Sequence, residues 1–482
     1  MGSATIMHIA PFAIALIALL IVLSFKRGLT VERLYSFGVV GFVLSDLLVN
    51  VGYFVKIGSF SLRYNEAFLT LAFLASVMLF VSGKRGNRTL MTCLGFSLLA
   101  IVFSFVAFFV SGKNELSMLE SSTMYSWDMY AANRADLQPL TLGSKTIFVV
   151  AKFIMAGVVV SYLPSRLRKL DYARAGKKLF NIYLAVGIYL VLEALEVYLL
   201  KGNNLRTISL WVFGNKDLAN TDVAFSGRTY GFFSEPSMLS LSLFVFALLS
   251  LALYRNRIIS QRTFILSFVG GIALMALSRS FSSVLYLPVL YILFFVFEVK
   301  KKASSVLLAI LVIVPIGAGV ALLRFNNGYF LDRLVASLEV LGDFSSGTRY
   351  FTSEWIRLHS IVHLLGLFIK HPVFGVGFNS TYSYSAVSSI LATVGLFGFA
   401  SLLYYWFQAH KIFFGSRANG WATILFLVIF LMVGSAGSFL LYYPSVFLAF
   451  SLMSLIVEKR PAVIAGRRKT ILEAAILLQR AN

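Results

Sequence analysis

Two residues that could do chemistry together lie in the stretch GRTYGFFSEPS, residues 227–237. Arg228 and Glu235 stand seven positions apart, just before a long apolar run. Charged groups at the edge of a bilayer are costly unless they act on a ligand or hold a partner. A guanidinium group binds two phosphate oxygens at once, and a carboxylate can accept a proton from a hydroxyl group. The stretch therefore suggests a site for an anionic substrate.

The sequence leaves the role of Glu235 open. As a general base it would take a proton from an acceptor hydroxyl. It also directly precedes Pro236, a residue suited to the first turn of a helix, and a carboxylate is favourable beside a helix N-terminus. An ion pair with Arg228 that only orders the loop, or a contact with a sugar, is a further reading. Glu235 is kept as a candidate catalytic residue.

The composition determines which elements must position these residues. Of 482 residues, 59% are hydrophobic and 13% are charged, and the mean hydropathy is +0.85. Soluble domains carry about a quarter charged residues, so the chain is predicted to be an integral membrane protein. Backbone groups in lipid must pair internally, and the runs lack the alternation of a barrel, so the spans are helices. The single cysteine, Cys93, excludes a disulfide framework.

Apolar runs predict an all-α polytopic membrane protein with about 12 to 14 spans in one domain, residues 1–458. The thirteen predicted spans cover residues 8–25, 34–55, 66–82, 89–111, 144–163, 179–200, 237–254, 263–278, 282–298, 304–323, 385–408, 421–436 and 439–457.

The net charge of +22 reflects topology and does not indicate nucleic acid. Most Lys and Arg fall in alternate connections, which are cytoplasmic by the positive-inside rule. The N-terminus is then expected outside and the C-terminus in the cytoplasm. The basic tail, residues 459–482, is expected to form an interfacial helix against membrane lipids. The basic connections read KRGLTVER, KRGNR, SRLRKLDYARAGKK, RNRIISQR, KKK and HKIFFGSR.

The outer face receives the unusual chemistry in this topology. Its long segments are 112–143, 201–236 and 324–384, and the last is predicted to contain amphipathic helices at 331–341 and 348–370. Arginines there run against the usual bias of outer loops, although single ones can reach lipid phosphates. Arg279 lies in a short link between spans, which favours a polar cavity. The outer arginines are Arg206, Arg228, Arg279, Arg324, Arg333, Arg349 and Arg357.

Ionisable residues also occur inside the predicted spans, among them Asp46, Lys152, Glu193 and Glu196. The favoured interpretation is that Lys152 neutralises one of the three acids and stabilises the bundle. The alternative is a proton or ion path, as in a transporter.

Metal and cofactor motifs receive no support. His359 and His363 have the spacing of a zinc-binding helix but lack its glutamate, and there is neither a P-loop nor a D-x-D pair. No metal and no cofactor are predicted.

Four short segments follow one another along the chain: GRTYGFFSEPS, LSRSFSS, SSGTRYFTSEW and KHPVFGVGFNS, the last followed by an apolar helix. In this order they resemble the O-antigen polymerase and O-antigen ligase superfamily, and the resemblance covers roughly residues 225–400. It implies a bacterial glycosyltransferase with a GT-C-like fold in the inner membrane and a site facing the periplasm. Its substrate would be an oligosaccharide on undecaprenyl diphosphate, used without a metal, and a chain-length regulator protein would be a further partner.

The resemblance also implies site residues. Arg228 matches the arginine before the family's G-F-x-x-P segment, Arg279 that of its S-R motif, and Arg349 the one that opens the large outer loop. Arg357 has no firm counterpart and is kept as a substrate-binding candidate. His371, in the KHPVFGVG turn, is also kept as a substrate-binding candidate. Its other interpretation is a structural or surface role.

One departure favours a polymerase. Ligases carry a histidine, then one polar residue, nine residues and GxxG, whereas this chain has Tyr384 at the histidine position before Gly395 and Gly398. Tyr384 is kept as a substrate-binding candidate, with an interfacial aromatic as its other interpretation. A ligase that transfers polysaccharide to lipid A core, and a flippase for lipid-linked oligosaccharide, are the alternative functions.

Overall fold

The structure, a computed structural model, is predominantly helical in its described part, as the sequence predicts. For some of the described residues, Asp46 and Arg357 among them, only the backbone is described. The described residues are 7–18, 28, 30–48, 52–57, 60–117, 138–167, 172–214, 229, 231–232, 236–255, 257–278, 280, 283, 286–287, 289–290, 335, 353–381, 383 and 385–414.

The described part of the chain contains ten helices of nine or more residues, α1 to α10, and residues 11–18 are helical as well. A π-helical turn, Glu196–Leu200, follows α5, and a 3-10 turn, Gly112–Asn114, follows α3. The labelled helices are α1 (Val31–Leu48), α2 (Tyr64–Val81), α3 (Arg88–Val110), α4 (Ser144–Leu167), α5 (Tyr172–Leu195), α6 (Asn204–Val212), α7 (Pro236–Arg255), α8 (Gln261–Leu277), α9 (Ser353–Lys370) and α10 (Ala386–Phe414).

Five helices in the described part are long and apolar enough to cross a membrane, and each matches a predicted span. Two shorter apolar helices, Met238–Tyr254 and Gln261–Leu277, match two more. The predicted spans at 304–323, 421–436 and 439–457 lie outside the described residues, as does most of 282–298. The five long helices are Tyr64–Val81, Arg88–Val110, Thr146–Pro164, Arg174–Leu200 and Val387–Ala409.

The bounds of the first two predicted spans are wrong, because short strands occupy the ends of these spans that were predicted to lie outside. Strand β1 (Met7–Ile9) pairs with β2 (Tyr53–Ile57), which pairs with β3 (Phe60–Arg63), all antiparallel. Helix α1 ends at Leu48, so the span predicted at 34–55 is too long. Hydropathy does not separate a buried strand from a helix, and YFVKI is rich in the aromatic and β-branched residues that strands favour.

Small residues allow the neighbouring helices to pack closely. An added Cβ at Gly38 of α1 would lie 2.7 Å from the backbone N of Ala72 on α2, and one at Gly41 would lie 2.3 Å from the Phe68 ring. Membrane helices associate through this kind of close van der Waals contact, since lipid removes the hydrophobic drive between them.

One end of the bundle gathers the connections predicted to be cytoplasmic. The hydroxyl of Tyr35 donates to the carbonyl of Val159 at 2.7 Å, so α1 is tied to α4 near this end. The backbone N–H of Asn87, in the KRGNR connection, donates to the carbonyl of Ser161 at 2.9 Å. The starts of α1 and α3 and the end of α4 therefore meet.

The connections predicted to be outside also contact one another. The N–H of Tyr53 donates to the carbonyl of Phe213, beyond α6, at 3.0 Å, and the N–H of Ala10 donates to the carbonyl of Phe54 at 3.4 Å. A second pair of strands, β4 (Leu116–Ser117) and β5 (Gln138–Pro139), closes the connection between α3 and α4.

Candidate functional site

Most of the residues singled out from the sequence lie outside the described residues. This holds for Arg228, Arg279, Arg349, Glu235 and Tyr384. Their roles stay predictions, and the described neighbours on either side of them carry the structural information.

Arg357 lies on α9, within the helix predicted at 348–370, and only its backbone is described. His371 is described with its side chain. The roles proposed for these two residues in substrate binding also stay predictions.

The stretch GRTYGFFSEPS is held at Gly231 by two buried charged side chains. The N–H of Gly231 donates to Oε2 of Glu193 on α5 at 2.8 Å, and its carbonyl accepts from Nη1 of Arg206 on α6 at 2.5 Å. Glu193 is 1% exposed and Arg206 is 2% exposed. Gly231 has a φ of +59°, a left-handed conformation that favours glycine. Side chains from α5 and α6 thus meet at one backbone residue, and we call this contact the Gly231 junction.

Tyr189 and Glu196, on either side of Glu193 in the sequence, make further contacts near the Gly231 junction. The ring of Phe232 stacks on Tyr189 with the centroids 4.4 Å apart, and the Tyr189 hydroxyl donates to the carbonyl of Leu205 at 3.0 Å. Glu196 accepts from the N–H groups of Asn204 and Leu205 at 2.6 and 2.8 Å. Glu196 therefore satisfies free N–H groups at the start of α6 and stabilises the helix through its dipole.

Hydroxyl groups join the start of α7 to two serines that stand on either side of Arg279 in the sequence. Helix α7 begins at Pro236, inside the stretch GRTYGFFSEPS, and Ser240 lies in its second turn. The Oγ of Ser240 is 2.9 Å from the Oγ of Ser278, which directly precedes Arg279, and 2.9 Å from the Oγ of Ser283. All three serines are fully buried. Ser278 and Ser283 of the segment LSRSFSS therefore directly contact α7, the helix that begins within GRTYGFFSEPS.

The fourth segment, KHPVFGVGFNS, packs against α3 and a break in α10. Gly395 has φ +65° and ψ −171°, so it interrupts the helix within the span Val387–Ala409. A broken helix in a membrane exposes backbone groups that must find partners. Here the turn supplies them through four backbone hydrogen bonds, from Val376 to Ala392 (2.8 Å), Gly377 to Thr393 (3.0 Å), Leu396 to Pro372 (2.7 Å) and Phe397 to Val373 (3.1 Å).

His371 begins this turn and contacts the connection after α3. The Nε2 of His371 lies 3.0 Å from Oε1 of Glu115. Because a carboxylate can only accept a hydrogen bond, the imidazole Nε2–H is the donor. Its Nδ1 then faces the hydroxyl of Ser111 at 3.4 Å, and Nζ of Lys370 donates to Oε2 of Glu115 at 3.0 Å. Burial raises the pKa of Glu115, but the hydrogen bonds and charges of His371 and Lys370 outweigh it, so the pKa is lowered.

The structure adds an acid to the interpretation of the ionisable span residues. Lys152 on α4 pairs with Glu66 on α2, which is not one of the three acids considered from the sequence. Glu66 also accepts from the N–H of Arg63 at 2.9 Å, which caps the start of α2. Glu66 was not singled out from the sequence because it stands at the first residue of a predicted span. Its position three residues after Arg63 is nevertheless the one from which a glutamate can accept from the N–H of the N-cap residue.

Other functional candidates had weaker signals in the sequence. Glu115 follows a predicted span within a polar run, and nothing in its neighbourhood indicated His371 as a partner. Among the described residues no group of three or more His, Cys, Asp or Glu could hold a metal ion. The prediction that no metal is needed stays a prediction.

Comparison with known proteins gives no relative: no protein-family model, no curated protein and no solved structure matches this chain. The resemblance to the O-antigen polymerase and ligase superfamily therefore rests on the segments themselves.

Proposed function

We propose that this chain is a glycosyltransferase that polymerises oligosaccharide repeat units carried on undecaprenyl diphosphate, at the periplasmic face of a bacterial inner membrane. The observation that carries the proposal is the contact of Ser240 with Ser278 and Ser283. It joins LSRSFSS to α7, the helix that begins within GRTYGFFSEPS, and these two segments carry Arg279 and Arg228. In the proposal Arg349, from the large outer loop, completes a clamp for the diphosphate.

The arginines act on the leaving group. The bond between the anomeric carbon and a diphosphate oxygen breaks, and undecaprenyl diphosphate leaves with the electron pair. The acceptor hydroxyl oxygen bonds to the anomeric carbon and loses its proton. Negative charge grows on the diphosphate in the transition state, so preorganised guanidinium groups lower the barrier, and removal of one such donor costs roughly 3 kcal/mol. Arginines can thus supply what a metal supplies in other transferases.

Glu235 is the proposed acceptor of the hydroxyl proton. It stands four residues after Gly231 and directly before Pro236, where α7 begins. A carboxylate in this position is close in sequence to Arg228, so one stretch of chain would bring both the leaving-group clamp and the base.

The transporter alternative is less favoured by the described contacts. Lys152 pairs with Glu66, and Glu193 and Glu196 accept hydrogen bonds from backbone N–H groups of adjacent outer segments. These residues have local structural partners, so they do not require an ion path to explain their presence. The ligase alternative meets Tyr384 at the position where its histidine is expected.

Synthesis from defined components tests the proposal. Purified protein in detergent or nanodiscs receives a synthetic undecaprenyl-diphosphate repeat unit, with a chelator present and no core acceptor. A ladder of products on a gel supports a polymerase. Product that forms only after lipid A core is added indicates a ligase, and lipid-linked sugar that crosses a vesicle without bond formation indicates a flippase.

A further inference from the structure

The most unusual use of charge in the described part is at the Gly231 junction. Glu193 and Arg206 are almost completely removed from solvent, yet each makes a hydrogen bond to the backbone of one glycine. A loop that only needs to be covered can be held by apolar contacts, at no desolvation penalty for charges. Two buried charged side chains that both contact the backbone of Gly231 indicate that they fix the position and direction of the chain at this residue.

The two contacts constrain the chain in complementary ways. Glu193 holds the N–H of Gly231 and Arg206 holds its carbonyl, so the peptide groups on both sides are oriented. The stack of Phe232 on Tyr189 fixes the next residue. Before the junction, Thr229 is fully buried, and its hydroxyl has no hydrogen-bond partner among the described residues. Gly231 and Phe232 are thus held against α5 and α6, and Thr229 is buried close to them in sequence.

We infer that Glu193 and Arg206 are positioning residues that set the placement of Arg228 and Glu235 by fixing the backbone of Gly231. The inference deepens the proposed function and rests on it for its activity measurements. Arg228 stands three residues before Gly231 and Glu235 four residues after it. A shift of about 1 Å in groups that act on a transition state can reduce the rate by about 100-fold, so the effect belongs in kcat.

The first measurement needs no substrate. A single cysteine is placed at the buried position 229, as Thr229→Cys in a Cys93→Ser background, and its alkylation rate by a membrane-impermeant maleimide is measured. In this background the introduced thiol is expected to be protected. When Glu193→Leu or Arg206→Leu is added, which removes one of the two contacts, labelling is expected to rise at least about tenfold because the segment opens locally.

The second measurement follows turnover of the lipid-linked repeat unit, with Thr229 and Cys93 intact. Glu193→Leu is expected to lower kcat by about 100-fold with KM changed less than about threefold. Glu193→Gln keeps an oxygen that accepts from Gly231 and is expected to retain more activity than Glu193→Leu. Arg206→Lys keeps a donor for the carbonyl and is expected to rescue part of the loss in Arg206→Leu.

Controls separate positioning from general damage. Glu66→Gln removes another largely buried carboxylate, at the start of α2, and is expected to leave the introduced thiol at position 229 protected. Folding of every variant is checked by gel filtration in detergent. The double variant Glu193→Gln/Arg206→Gln is measured alongside, because it removes both buried charges together and still weakens both contacts with Gly231.

The outcomes are distinct. Faster labelling with a loss confined to kcat supports the inference. If the introduced thiol stays protected in the folded variants, or if the loss appears in KM alone, the inference is wrong. If labelling rises but the parent protein itself makes no product, the backbone is held as inferred and it is the proposed function that fails.

Discussion

Two segments at the end of the bundle that is predicted to face outward are held in place by opposite means. At the Gly231 junction, charged side chains from α5 and α6 bind the backbone of a loop. At the KHPVFGVGFNS turn, backbone pairs with backbone across the break in α10, and glycines make the close approach possible. The first arrangement depends on side-chain chemistry and the second on the absence of side chains.

The difference shows what each segment tolerates. An added Cβ at Gly395 would lie 2.3 Å from the carbonyl oxygen of Val373, which is backbone and cannot move aside without breaking the pairing. An added Cβ at Gly231 would lie 2.6 Å from Cδ2 of Leu190, the end of a flexible side chain. The KHPVFGVGFNS turn therefore leaves no room for a side chain at Gly395. At the Gly231 junction a neighbouring side chain can move, so the contacts of Glu193 and Arg206 are what hold the backbone in place.

The largest effect is expected from Gly395→Ala. Its backbone lies in a region that is essentially restricted to glycine, and the added carbon meets the backbone of Val373. We expect a loss of about 3 kcal/mol in stability, seen as a lower melting temperature in detergent and a smaller monodisperse fraction. The matched control is Gly366→Ala in α9, where a Cβ has open space. An unchanged melting temperature for Gly395→Ala would break the comparison.

A smaller effect is expected from Gly231→Ala. The left-handed conformation costs a residue with a Cβ about 1 to 2 kcal/mol, and Leu190 can move to make room. The melting temperature should fall less than for Gly395→Ala. Adding Leu190→Ala should relieve the steric part, so the double variant should lose less than the sum of the single changes. Additive losses would show that Leu190 is not the obstacle.

The smallest effect concerns pH and the contact of Glu115 with His371 and Lys370. The pKa of Glu115 is lowered in the folded protein, so its contribution to stability is complete above the ordinary value of 4.5 and is lost as pH falls through the folded pKa. Glu115→Gln should cost about 1 kcal/mol or less at neutral pH.

The measurement for this contact is the melting temperature between pH 7 and pH 3. The parent should lose stability on acidification more steeply than Glu115→Gln, because the variant has no carboxylate to protonate at this position. Parallel curves for the two proteins would contradict the assignment. His363 and Lys113, near the same connection, are present in both proteins and do not enter the difference.

Hydropathy predicted the long apolar helices of the described part well, and it predicted the short strands between them poorly. Apolar runs of sufficient length identified all five long helices, because lipid leaves a chain few other choices. The same signal merged strand β2 with α1, since hydropathy measures burial and not conformation. The three-stranded sheet depends on pairing Met7–Ile9 with Tyr53–Ile57, a contact between distant residues that no local pattern encodes.

The candidate site divides in the same way. Spacing and residue type singled out Arg228, Glu235 and Arg279, but they could not reveal which span residues serve which segment. Glu193 was one of three acids considered as a partner of Lys152. The structure shows that it accepts from the N–H of Gly231 and that Lys152 pairs with Glu66, contacts that depend on how the helices pack. Gly395 was noted only as part of a GxxG spacing, and neither the break there nor the hydrogen-bonded turn that satisfies it was predicted.

The central claim is that the chemistry occurs at the outer end of α8, where Ser278 precedes Arg279. The most direct measurement is the rate of undecaprenyl-diphosphate release from the lipid-linked repeat unit by purified Arg279→Ala, compared with Arg262→Ala in the first turn of the same helix at its opposite end. Both variants lose one arginine from α8 or the residues that flank it. We expect Arg279→Ala to fall at least about 100-fold and Arg262→Ala to keep the parent rate. A full rate for folded Arg279→Ala would contradict the account.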